Sequence, residues 1–99
     1  MQQGTLKSST ATIQNGVTRA DGQFSVSQHG ICFKPFNEKL GLGPYNVERA
    51  SIAKVEKCVG KGAGILPITS DAIRITCTNN ETYEFIISNP DEWVNLLSN

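Results

Sequence analysis

His29 is the only histidine in the chain, so acid–base chemistry would have to start there. General acid–base or nucleophilic catalysis needs a partner group within hydrogen-bond reach of such a residue. Its neighbours are Gln28 and Gly30, which read as a turn, and no G-x-S-x-G nucleophile elbow occurs. No Asp/Glu pair falls within a recognisable catalytic motif. His29 therefore reads as an exposed turn histidine, and the chain as a protein without catalytic residues. Cys32, Cys58 and Cys77 form neither a CxxC pair nor a zinc-ligand spacing. They read as reduced thiols, and no metal or cofactor is expected. The run Gly60-Lys61-Gly62-Ala63-Gly64 has the glycine content of a phosphate cradle, but no Lys-Ser/Thr and no helix follow it. It reads as a flexible connector between strands.

The residues that could make contacts rather than reactions fall in two groups. Leu40, Leu42 and Tyr45 lie in the stretch Leu40-Gly41-Leu42-Gly43-Pro44-Tyr45, near Lys34 and Lys39. No ordinary strand or helix tolerates that density of breakers. An apolar loop at 38–45 beside lysines suits insertion into a membrane interface or a partner groove. The alternative is that the loop folds back over the sheet and buries its apolar side chains, a path that Gly41 and Gly43 equally allow. Lys54, Lys57 and Lys61 form the second group, a set that could meet an anionic headgroup at about 1 kcal/mol each. Glu56 dilutes that set, and a solvated face is the plainer reading.

Composition narrows the partners. Nine Lys/Arg and nine Asp/Glu cancel, so the basic excess that drives phosphate binding is missing and nucleic acid is not an expected partner. The 99 residues suffice for one domain, with 1–9 as a loose leading segment, and a 38% apolar content supports a single core. The first residues show neither the charged nor the apolar region of a signal peptide, and no apolar run is long enough to span a bilayer. The expected location is cytoplasmic, or peripheral at the inner membrane face.

The elements that must position these residues are short strands. Ile73, Ile75 and Cys77 alternate with polar residues, and so do Tyr83, Phe85 and Ile87 beyond the turn cluster at 78–81. That period of two predicts a half-buried hairpin. Phe24 and Val26, then Ile31 and Phe33 ending on Pro35, predict two more strands. Asn15-Gly16 predicts a tight hairpin, and Asp21-Gly22 a further turn. Residues 47–50 and 55–59 have strand composition. Helix-start chemistry appears only at Asn89-Pro90-Asp91-Glu92, with Trp93, Leu96 and Leu97 on one face, so a helix is expected over about 89–98. Asn89 and Glu92 have the spacing of a capping box.

In order and spacing the pattern resembles a GRAM domain, a member of the pleckstrin-homology-like superfold. Gly22-Gln23-Phe24-Ser25-Val26-Ser27 and Ile31-Cys32-Phe33-Lys34-Pro35 look like the family's first central hairpin. Ile52 and Val55 look like its I-x-x-V step, Ile73, Ile75, Tyr83 and Phe85 like its last hairpin, and Trp93 like its helix. The match covers residues 10–97. It implies a mainly β barrel or sandwich of about seven antiparallel strands in two near-orthogonal sheets, capped by the C-terminal helix. The lipid-binding members of the superfold carry a cluster of Lys and Arg between the first two strands. Here that region offers Arg19 beside Asp21.

Two functions follow as expectations. The first is a non-catalytic protein-interaction or self-association module, working as a homodimer or on a protein partner through an exposed strand edge. The second is a peripheral adaptor on an anionic membrane surface, or on phosphoinositide headgroups, using the loop at 38–45 and the lysines.

Overall fold

The computed structural model describes residues 5–15, 18–62 and 66–98. Seven strands run in chain order: β1 Thr5–Asn15, β2 Thr18–Ser27, β3 Gly30–Pro35, β4 Tyr45–Glu48, β5 Ile52–Gly62, β6 Leu66–Cys77 and β7 Thr82–Ile86. The helix α1, Pro90–Ser98, follows them. All neighbouring strands are antiparallel, in the order β4-β3-β2-β1-β7-β6-β5. The fold is mainly β, a half-barrel of seven strands with a C-terminal helix, as expected. The seven strands form one continuous sheet with two halves, β4-β3-β2-β1 and β7-β6-β5. Their junction is short: Thr12, Ile13 and Gln14 of β1 pair with Ile86, Phe85 and Glu84 of β7.

Side-chain alternation along the strands builds the core. Phe24, Val26, Phe33, Ile73, Ile75 and Phe85 each lie at 0% exposure, all on the concave side predicted by the period of two. The half-barrel needs a lid over these apolar groups, and α1 supplies it by packing on β5 and β6. Trp93 is the anchor. Its ring meets Phe24 edge-on at a centroid distance of 5.2 Å, and its Nε1 donates to the Ser88 carbonyl at 3.0 Å. Asp91 and Glu92 sit in the first turn of the helix, where negative charge complements the dipole. The Glu92 carboxylate pairs with Lys7 of β1 rather than completing a capping box.

A polar row on the other face of the sheet ties its two halves together. Glu56, Arg74, Glu84 and Gln14 lie side by side on β5, β6, β7 and β1. Arg74 Nε donates to Glu84 at 2.9 Å, and Gln14, only 6% exposed, donates from Nε2 to Glu84 at 2.8 Å and to the Val59 carbonyl at 3.0 Å. These bonds satisfy a buried amide that would otherwise be costly.

Three local expectations give way to the structure. Residues 5–9, expected to be loose, open β1 and pair along β2. The expected turn at Asp21-Gly22 is instead continuous β2. Glycine stands there because strands approach closely: a Cβ on Gly22 would lie 2.4 Å from the Lys34 carbonyl oxygen. The glycine connector starts later than expected, because β5 runs on to Gly62; Ala63 and Gly64 lie outside the described residues.

Candidate functional site

The connection from β3 to β4 separates residues that the sequence placed together. β3 ends at Pro35, and the Phe36 amide donates to the Asp21 carbonyl at 2.9 Å. Asn37 Oδ1 accepts from the Lys39 amide at 3.0 Å and so opens a single 3-10 turn, Glu38–Leu40. Gly41 (φ 75°) and Gly43 (φ 121°) then take left-handed conformations that a side chain would resist. Between them Leu42 swings inward to 6% exposure and joins the main core. Leu42 is thus a core residue and not a contact residue: the two glycines choose the inward path, and burying the side chain stabilises the loop. Tyr45 also turns inward. It is half-buried, packs on the core, and its ring meets Tyr83 at 5.1 Å. The Leu40 side chain lies outside the described residues.

What the loop leaves outside is Phe36. Its 66% exposure is the highest among the exposed large hydrophobics, above Leu6 at 49% and Val59 at 40%. The sequence pattern gave no reason to single it out, because it follows the proline that ends β3. No local signal finds it: β3 ends at Pro35, so the alternation of the outward Lys34 with the buried Ile31 and Phe33 stops before it.

The lysines divide in the same way. Lys54 Nζ lies 3.4 Å from Glu56, and Lys57 Nζ lies 3.2 Å from Asp91 on α1. Both sit on β5, at the far end of the strand order from β3. Lys7 pairs with Glu92. Lys34 and Lys39 are exposed, and among the described residues neither has an ion-pair partner. The Lys61 backbone belongs to β5, opposite Pro67, and its side chain lies outside the described residues. The predicted set therefore does not converge. Lys34 and Lys39 lie on either side of Phe36 in the chain and, like it, are exposed, whereas Lys54 and Lys57 belong to paired charges around β5 and the helix.

A second surface lies where the half-barrel stays open. There β4 faces the β6–β7 turn across a groove of about 370 Å³, whose walls include Val47, Glu48, Cys77, Glu81 and Tyr83. Asn80 takes a left-handed conformation in that turn (φ 73°), and the Cys77 amide donates to the Glu81 carbonyl at 2.8 Å. Burial first, and the Glu81 charge second, push both the Cys77 thiol and the Tyr83 phenol above their ordinary pKa values. His29 is exposed in the β2–β3 turn, and its carbonyl accepts from the Arg49 amide at 2.8 Å. Among the described residues, no three His, Cys, Asp or Glu side chains group as metal ligands. Also among them, no helix is long and apolar enough to cross a membrane.

No family model and no curated protein matches the chain. Among solved structures, it is similar to the C-terminal domain of an unknown protein from Leishmania infantum. The TM-score is 0.75 at 18% identity, over 97% of this chain and 83% of that one. At that identity the likeness speaks for the fold alone.

Proposed function

We propose that this chain is a non-catalytic binding module of the GRAM type, and that the rim formed by Lys34, Phe36 and Lys39 rests on an anionic membrane surface. The observation that carries this reading is an exposed phenyl ring that lies in the chain between Lys34 and Lys39, both exposed and both without an ion-pair partner among the described residues. Transferring a phenyl side chain out of water is worth about 1.5–3 kcal/mol, and a lysine near an anionic surface about 1 kcal/mol. Together these support weak, reversible attachment that a second contact must reinforce. Glu38 and Asp21, both exposed nearby, reduce it further. Without a basic cluster between β1 and β2, the rim suits a general anionic surface better than a tight single-headgroup pocket. The three cysteines, free thiols in the fold, fit a reducing cytoplasmic location.

The test is co-sedimentation with phosphatidylserine vesicles at low and physiological salt, beside neutral vesicles. Pelleting on anionic vesicles that weakens with salt and is lost in Phe36→Ser and in Lys34→Glu supports this reading. Failure to pellet at either salt overturns it.

The interaction-module reading is favoured by a different observation. The sheet ends in two edge strands, β4 and β5, each with a strand on one side only, and an unpaired edge is a template for another chain. Sedimentation velocity over a wide concentration range tests the self-association form of this reading.

A further inference from the structure

The two edges of the sheet are not equivalent. β5 carries Lys54 and Lys57 and has α1 packed beside it, and edge lysines are a common defence against unwanted strand pairing. β4 is Tyr45-Asn46-Val47-Glu48. It has no lysine, and its open side faces the groove of about 370 Å³ before the β6–β7 turn. That groove is lined by two carboxylates, Glu48 and Glu81, and by no lysine or arginine. Neither carboxylate has an ion-pair partner among the described residues. Arg49, the cation next to Glu48 in sequence, reaches elsewhere: its guanidinium donates to the Ser27 carbonyl at 3.3 Å and to the Leu96 carbonyl at 2.8 Å.

The alternation of β4 dictates what an added strand would carry. Asn46 and Glu48 are exposed, whereas Val47 is 8% exposed and faces the core. Residues of an incoming strand would alternate likewise, one set beside Glu48 and the next over Val47 and Cys77. Opposite charges placed across such a pair are favourable and like charges are not. Tyr83 lines the same groove, and its hydroxyl donates to Glu81 Oε1 at 3.4 Å, which holds that carboxylate at the groove wall.

We propose that β4 takes an extended basic segment of a partner protein as an added strand. Its lysine or arginine side chains meet Glu48 and Glu81, and its alternate apolar side chains cover Val47 and Cys77. The proposal rests on the interaction-module reading and is independent of the membrane rim. The backbone ladder supplies attachment, and the two carboxylates select a basic sequence over an acidic one.

The experiment is a fluorescence-anisotropy titration of the whole chain with a labelled, end-blocked peptide in which arginine alternates with valine. The same peptide with glutamate for arginine, and one N-methylated at alternate amides, serve as comparisons. Saturable binding of the arginine peptide is expected, weakened by salt and by about three- to tenfold in the Glu48→Gln/Glu81→Gln double variant. N-methylation should abolish it, and hydrogen exchange should slow at β4 amides and not at β5. Both glutamates are exposed, so the double variant is expected to fold normally by circular dichroism. No binding of the arginine peptide, equal binding of the glutamate peptide, or indifference to the double variant overturns the proposal. So does protection that appears at β5, or at β4 in the protein alone through self-pairing. Strand addition at β5, or a self-paired dimer, would overturn this site while leaving the interaction-module reading intact.

Discussion

Two regions of the described residues combine aromatic side chains with lysines, in opposite surroundings. Beneath the helix, Phe24, Phe33, Phe85 and Trp93 lie between 0% and 1% exposed, with Phe24 and Phe85 at 4.7 Å and Phe33 and Phe85 at 5.3 Å. The lysine there, Lys7, lies 5.1 Å above the Trp93 ring and pairs with Glu92. At the rim, Phe36 is 66% exposed and its two lysines have no ion-pair partner among the described residues. The first arrangement satisfies its own surface and contributes to stability. The second leaves apolar area and charge for another body to satisfy. Residue type alone therefore does not assign a role; whether each group already has a partner does.

If that distinction holds, breaking the covered end should cost the most. Trp93→Ala is expected to destabilise the protein by about 3–5 kcal/mol, as for other large buried aromatics. It also leaves the Ser88 carbonyl without its indole donor. Urea unfolding followed by far-ultraviolet circular dichroism measures this, and an unchanged midpoint would remove Trp93 as the anchor of the lid. Leu42→Ala should follow at about 2–4 kcal/mol, because Leu42 pins the rim loop to the core from a position of 6% exposure. A loss below about 0.5 kcal/mol, the range of ordinary surface changes, would return Leu42 to the exposed surface.

Leu42 and Phe36 also show where the sequence is legible and where it is not. The last hairpin and the helix could be read because Ile73, Ile75, Cys77, Tyr83 and Phe85 repeat at a fixed period, and a fixed period has one buried face. An apolar residue in a glycine-rich loop has no period, so nothing local decides whether it points in or out. Leu42 goes in because two left-handed glycines turn it there, and Phe36 stays out because β3 has already ended. Gly22 misleads for a related reason. Asp-Gly is a turn signal when the glycine supplies backbone freedom, but this glycine supplies empty space for a neighbouring strand. Lys57 was ambiguous because its partner, Asp91, lies far along the chain.

The open seam gives a smaller effect, visible only at high pH. Cys77 and Tyr83 both have raised pKa values, through burial and then the Glu81 charge. Because the folded state favours their neutral forms, their contribution is intact below the unfolded pKa values. It is lost as pH climbs through the folded ones, since the unfolded chain ionises first. Unfolding midpoints should fall from about pH 8.5 upward, the range in which an unfolded thiol begins to ionise. Glu81→Gln should flatten that fall, since one charge raises both groups. A midpoint independent of pH up to 10.5 would show that neither group resists ionisation in the fold.

The smallest effect on stability should come from the most exposed ring, and this is the sharpest form of the comparison. Phe36→Ser removes an aromatic side chain, yet it should change the unfolding free energy by no more than about 0.5 kcal/mol, because little of the ring is buried on folding. The same substitution should abolish pelleting with anionic vesicles, whereas a rim held by charge alone would keep binding and lose it only in Lys34→Glu or Lys39→Glu. Stability and binding must therefore separate at residue 36 and stay coupled at residue 93, where loss of the lid removes both. A Phe36→Ser protein that unfolds several kcal/mol more easily would mean that the ring packs in solution, and the open rim would then have no basis.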